Sequence, residues 1–336
     1  MRSTKVGKFP SLKTWRGSLM GLAALGSFAS VPSASAADKV KLAQNQAPIS
    51  GISIVADRNG FFAKNGLEVE VINFTTGKQC LDTVMGGAAD IATTAEAPTT
   101  AAAMSGQKIA FLARTEYSYI KTLTATSAKI GKLADLKGKR VAFTAGTGGE
   151  VYTMELLKKA GLSKDDVTLV NLRPQDMVAA LASGGIDAYG TWEPHIHNGI
   201  RALGAKATQL DTKGIYAETF NIVLMQDYLQ KRPEVVQRFL KSLIEAEAWI
   251  KANPDEAVKV VADFVKMPAD DLKPIWKDYV YGIALDQQVL DVLNAHAGWR
   301  LATGNHPPGA TMPDWRNVIF PGPLKSVAPE RVTISE

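Results

Sequence analysis

The sequence predicts an α/β protein of two lobes with a cleft between them, and three observations carry that expectation. Short apolar runs alternate with amphipathic stretches, the pattern of a largely parallel sheet covered by helices. The alternation comes as two successive series built on one plan, before and after residues 121–125. The 336 residues also exceed what a single core usually fills.

The first residues stand apart from that plan. Arg2, Lys5, Lys8, Lys13 and Arg16 precede an apolar run over 17–31, and Ala34-Ser35-Ala36 follows. These are the three parts of a secretory signal peptide, with cleavage expected after Ala36. The run is short for a membrane span. Trp15-Arg16 is not a twin arginine and no cysteine follows the run, so the general secretory route and an unlipidated, periplasmic mature chain are expected.

The whole chain carries 38 basic and 33 acidic residues. The five basic residues of the signal leave with it, so the mature part is balanced and nucleic acid is not an expected partner. The single cysteine, Cys80, excludes an intrachain disulfide and reads as a small core residue, with a nucleophile as the functional alternative.

In the first series, strands are expected over 40–44, 67–72, 90–93 and 109–113, with helices near 52–63, 79–85 and 99–104. After 121–125 the second series has strands over 140–144, 167–171 and 188–190, with helices after Gly149, Pro174 and Pro194. A strand over 221–225 then leads into a region, from Pro233 to about Arg300, that reads almost entirely as helix. Pro233, Pro254, Pro268 and Pro274 mark helix starts or stops in it. The tail from Gly304, rich in proline, is expected to be an ordered coil. One lobe would comprise 37–121 and 220–336, the other 122–219, joined by crossings near Lys121 and Phe220. A cleft between lobes is a favoured place for a small ligand.

Ala145-Gly146-Thr147-Gly148-Gly149 follows a strand and opens a helix. A phosphate loop would require lysine and a hydroxyl residue next, but Glu150 and Val151 follow. The dinucleotide fingerprint fails at Val151 as well. What remains is either a plain turn or a helix start whose bare N–H groups favour an anion. Tyr152 falls at the edge of the sheet-facing stripe of that helix.

Phe74-Thr75-Thr76-Gly77 and Thr93-Thr94-Ala95-Glu96 offer similar turns in the first series, their threonines serving either as N-caps or as donors to a ligand. Trp192, in Gly190-Thr191-Trp192-Glu193-Pro194, can wall the apolar part of a ligand. His195 and His197 are half of a metal site at most, and a solvent-side loop is the expected reading. Neither G-x-S-x-G nor H-E-x-x-H occurs, so no enzyme motif and no cofactor is expected.

"LEVEVINFTTG", "GGAADIATTAEAP", "LKGKRVAFTAGTGGEVYTMELLKKAGL" and "VNLRPQDMVAALASGGIDAYGTWEP" resemble the periplasmic binding proteins of the nitrate, sulfonate and taurine group. The resemblance implies a type II periplasmic-binding-protein fold and a receptor, working as a monomer, that serves the permease and ATPase of an ABC importer. It places a ligand anion against Thr75, Thr76 and Gly77, against Thr94 and Glu96, and against Gly146, Thr147 and Gly148. Trp192 and Glu193 fall at the cleft wall, Gln46 in the first loop, and Arg114 as a nearby cation.

Glu96 and Glu193 would suit a zwitterion such as taurine, whose amine needs an acceptor. Aliphatic sulfonates and taurine are therefore the leading ligands; nitrate, an aromatic carboxylate or sulfonate, and a thiamine-precursor pyrimidine are alternatives. Pyrimidine-modifying enzymes of similar fold carry a cysteine-rich motif, from which a chain with one cysteine departs. Sequence does not separate transport from sensing.

Overall fold

In the computed structural model two twisted sheets stand side by side, each layered with helices. Residues 36–334 are described, together with Gly7. Apart from Gly7 and Ala36, the expected signal peptide lies outside the described residues.

The chain enters through β1 (Asp38–Asn45). Val40 and Leu42 point to one core while Ala43 faces another, as period-two alternation requires. Gly60, at φ 74°, breaks the expected single helix into α1 (Gly51–Arg58) and α2 (Phe61–Lys64). The series continues with β2 (Leu67–Phe74), α3 (Gly77–Met85), β3 (Ile91–Ala95), α4 (Glu96–Met104) and β4 (Ile109–Tyr119).

One residue later, β5 (Lys121–Ala125) opens the second sheet. There follow β6 (Arg140–Phe143), α5 (Gly148–Lys159), β7 (Thr168–Asn171), α6 (Pro174–Ala182), β8 (Ala188–Thr191), α7 (His195–Leu203) and β9 (Ala207–Leu210). The return runs through 211–216 into β10 (Ala217–Met225), so this crossing precedes Phe220, where the sequence placed it.

Next come α8 (Gln226–Lys231), α9 (Pro233–Ala252), α10 (Pro254–Val265) and α11 (Ala269–Leu272). Then β11 (Val280–Ala284) interrupts what read as continuous helix, before α12 (Gln287–Thr303) and α13 (Gly322–Val327). The tail is therefore not all coil, and it docks into the core through Trp315 and Leu324.

The first sheet has the order β11-β4-β10-β3-β1-β2. β1 runs parallel to β2 and β3, whereas β10 is inserted antiparallel between β3 and β4. The second sheet has the order β7-β6-β8-β5-β9, with β6 parallel to β7 and β8. In α9, Val236, Leu240, Leu243 and Ile250 recur at helical spacing and are buried, and Phe239 stacks on Phe62 with ring centroids 5.0 Å apart.

Glu247 is buried on the same helix and accepts from the Ile283 N–H at 3.0 Å and from Arg331 at 2.5 Å. This ties β11 and the tail to α9, and such a buried acid is tolerated only because it is paired. Among the described residues no helix is long and apolar enough to cross a membrane.

In the second sheet, Gly190 lies under the Tyr152 ring. A Cβ there would meet the ring carbons at 2.8 and 2.9 Å, and Tyr152 is fully buried with no room to swing. Gly190→Ala should lower unfolding stability by about 1–3 kcal/mol in urea titration. An unchanged midpoint would mean that the ring can shift.

Candidate functional site

A cavity lies between the two sheets, where β1, β3, β6 and β8 reach their carboxyl ends. Asn45, Ile49, Gly77, Ala95, Glu218 and Phe220 wall it from the side of the first sheet, with Lys78 and Pro98 at its edge. Thr147, Gly148 and Trp192 wall it from the other side. About 20 Å³ is open to the centre of a water-sized sphere, which is room for one or two waters.

Two helices begin at its wall, α3 at Gly77 and α5 at Gly148. Both starts are organised locally. Thr76 caps α3, its hydroxyl accepting from the Gln79 N–H at 3.3 Å, while the Gln79 side-chain carbonyl accepts from the Thr75 and Thr76 N–H groups at 3.2 Å. Thr147 caps α5, accepting from the Gly149 N–H at 3.1 Å. The Glu150 carboxylate folds back over the turn and accepts from the Gly146 N–H at 2.7 Å.

Gly146 takes φ +73°, and a Cβ on it would sit 3.1 Å from the Lys78 side chain. The two glycine turns thus meet across the cleft. Gly77 is equally confined, since a Cβ there would be 3.0 Å from the Ala95 nitrogen and the Thr94 Cα.

Besides Glu247, three glutamates are buried on the first-sheet side: Glu96 at the start of α4, Glu116 on β4 and Glu218 on β10. Glu96 has partners: its Oε2 accepts from the Thr219 N–H at 2.6 Å and the Thr219 hydroxyl at 3.1 Å, and its Oε1 accepts from the Tyr216 hydroxyl. The Tyr216 oxygen in turn lies 2.5 Å from His296 Nε2. Burial, helped by Arg300, lowers His296 to about 3, so the imidazole is neutral. With Tyr216 donating to Glu96, His296 Nε2–H donates to Tyr216.

Glu116 has the Ser118 hydroxyl beside it but outside hydrogen-bond geometry, and Glu218 Oε1 is buried with no partner. Burial raises all three carboxyls above the usual range; Glu218 and Glu96 raise Glu116 further, and Glu96 raises Glu218.

The residues singled out from sequence divide. Gly77, Thr147, Gly148 and Trp192 line the cavity. Gly146 forms the adjoining turn, Thr94 is buried with its hydroxyl unpartnered, and Glu96 lies in the network just described. Thr75 and Thr76 are committed to the α3 cap, the alternative left open.

Gln46 is exposed, and its neighbour Asn45 takes the cavity position, because alternation along β1 turns successive side chains to opposite faces. Tyr152 does not border the site: burial raises its phenol to about 12, and its hydroxyl bonds Thr122 at 2.6 Å inside the second core. Arg114 is turned away to Asp286, at 2.5 Å, and to the Gly282 carbonyl. The cation beside Glu193 is instead Lys121, at 2.8 Å, which also reaches Asp278 at 2.7 Å.

Burial keeps His195 neutral, lowered to about 4, with its ring edge-on to Trp192. Among the described residues no group of three or more His, Cys, Asp or Glu is placed to hold a metal ion. Asn45, Lys78, Glu218 and Phe220 escaped the sequence reading. The buried run Glu218, Phe220, Ile222, Leu224 shows at period two, but the expected strand began only at residue 221.

The order β2-β1-β3-β10-β4, with β10 reversed, and a cleft at the strand ends between two α/β layers define a type II periplasmic-binding-protein fold. The alkanesulfonate-binding protein SsuA of Xanthomonas axonopodis pv. citri, solved bound to MOPS, has this fold, with a TM-score of 0.75 at 20% identity over 86% of this chain and 100% of that one. The chain belongs to the NMT1/THI5-like family, whose pattern matches residues 48–257.

It is 29% identical to the taurine-binding periplasmic protein of Escherichia coli over 68% of this chain and 73% of that protein. It is 25% identical to the 4-amino-5-hydroxymethyl-2-methylpyrimidine phosphate synthase THI13 of Saccharomyces cerevisiae, over 74% of this chain and 76% of that protein.

The buried carboxyls make stability depend on pH. A raised folded-state value means that the folded chain holds protons the unfolded chain has lost. The stabilisation is complete below the ordinary carboxylate range and is lost as pH rises through the folded values. Glu116→Gln keeps the shape and removes one such group. The difference in urea-unfolding free energy between Glu116→Gln and wild type should grow in favour of the variant as pH rises above the ordinary carboxylate range, the histidines cancelling in the comparison. A difference constant with pH would show that Glu116 does not titrate in this window.

Proposed function

We propose that this protein is an exported, periplasmic solute-binding protein that captures a small anionic or zwitterionic solute, an aliphatic sulfonate or taurine, and delivers it to the permease and ATPase of an ABC importer. One observation carries the reading: Gly77 and Gly148, the first residues of helices from opposite sides, line a single cavity between the sheets. Each helix start presents partial positive charge, and two of them facing one space favour an anion over a neutral solute.

Trp192 adds a flat apolar wall for the carbon part of the ligand. The taurine-binding relative and the alkanesulfonate-binding structure support the same choice of ligand. The two sheets are the cores of two lobes. The cavity is too tight for a ligand of several heavy atoms, so the lobes part to admit it and close over it, hinged at 119–121 and 211–216.

A rival enzyme on the same cleft would draw on Cys80 or a histidine, and of these the thiol would have to ionise to act as a nucleophile. Cys80 is buried on the inner face of α3, its thiol directed to the Thr76 carbonyl at 3.4 Å, and burial pushes that thiol up, away from the reactive thiolate.

Calorimetry of the mature chain against taurine, ethanesulfonate, nitrate and a neutral sugar tests the reading. A sulfonate should bind with a dissociation constant of about micromolar order. Trp192→Ala should weaken it by about tenfold to a hundredfold, the equivalent of the 1.5–3 kcal/mol of a buried aromatic side chain. Binding of the sugar with no binding of any anion would overturn the proposal.

A further inference from the structure

We propose that Glu218, together with the side-chain carbonyl of Asn45, receives a cationic N–H group of the ligand, so that the solute is a zwitterion and not a plain anion. This rests on the solute-binding reading above and adds the second half of the recognition.

Glu218 is 3% exposed and lines the cavity, yet its Oε1 has no hydrogen-bond partner. Asn45, on a different strand, is 2% exposed, lines the same cavity, and its Oδ1 is likewise unpartnered. Two residues that line one cavity thus each carry an unfilled buried acceptor, and buried acceptors are ordinarily satisfied. No lysine, arginine or histidine among the described residues forms an ion pair with Glu218 or Glu116. The one basic side chain at the cavity edge, Lys78, is held by Asp82 at 2.6 Å.

Glu218 Oε2 lies 3.1 Å from where a Cβ on Gly148 would stand, so the carboxylate sits against the first residue of α5. It makes no hydrogen bond to that helix start, and so it does not substitute for the ligand's anion there. A plain anion in this cavity would conflict with these unfilled acceptors, because it brings no donor to them and disfavours ionisation of Glu218. A zwitterion resolves the conflict: its acid lies at the helix starts while its ammonium, amidinium or guanidinium meets Glu218 and Asn45.

The experiment compares taurine with ethanesulfonate, the same acid without the amine, on the wild-type mature chain and on Glu218→Gln. Circular dichroism establishes that the variant is folded. Wild type should prefer taurine by about tenfold to a hundredfold, the range of a hydrogen bond to a charged group. Glu218→Gln should abolish that preference by weakening taurine alone. Taurine binding to wild type should also release protons, read from calorimetry in two buffers of different ionisation enthalpy, because the cation favours the ionised Glu218.

If both sulfonates bind equally to wild type, or if Glu218→Gln leaves their ratio unchanged, the role of Glu218 is overturned while the solute-binding reading stands. If Glu218→Gln tightens ethanesulfonate without weakening taurine, Glu218 is a mimic of the anion and the proposal fails. If neither sulfonate binds wild type, the sulfonate reading of the site is itself overturned, and the zwitterion with it.

Discussion

The Glu96 carboxylate is the interaction on which the rest of the architecture turns. It is buried completely at the first residue of α4, where an ionised acid is tolerated only if its lone pairs are filled. The groups that fill them come from three other places: Thr219 on the reversed strand β10, Tyr216 on the returning crossing, and, through Tyr216, His296 on α12. A single carboxyl thus fixes where the chain re-enters the first sheet and how α12 lies against it. The cavity is bounded by residues on either side of this knot, Ala95 and Pro98 within two positions of Glu96 and Glu218 next to Thr219, so cavity shape and chain crossing are set together.

Much of this was legible in the sequence because it depends on local pattern. Apolar runs located β1 to β4 and β6 to β8, and prolines located the starts of α6, α9 and α10, since proline fits a first helical turn and nowhere deeper. The glycine turns at Gly77 and Gly148 were readable for the same reason.

What sequence could not supply is what long-range pairing decides. β11 lies between stretches of helix and is a strand only because β4 offers it an edge, and β9 likewise exists through its pairing with β5. Glu218 matters because β10 is inserted between β3 and β4, a fact of topology and not of pattern. Arg114 illustrates the converse. It stands on a strand of the correct sheet, but Asp286, far along the chain, claims it, leaving Lys121 to neutralise Glu193. Most of the missed and misplaced residues share this cause: their roles are assigned by partners on other elements of the fold or by the face on which alternation puts them.

Several contacts join the two sheets' layers without touching the cavity. Asn305 donates to Glu150 Oε1 at 3.1 Å, Arg201 pairs with Asp271, and Lys121 bridges Glu193 and Asp278. With lobes that close over a solute, as proposed, each contact that forms only on closure enters the apparent affinity, because that affinity scales with the fraction of molecules already competent to bind. Under that proposal, substitutions at Asn305 or Arg201 would change affinity and leave selectivity untouched. Tightness and choice of ligand are tunable at separate addresses in this fold.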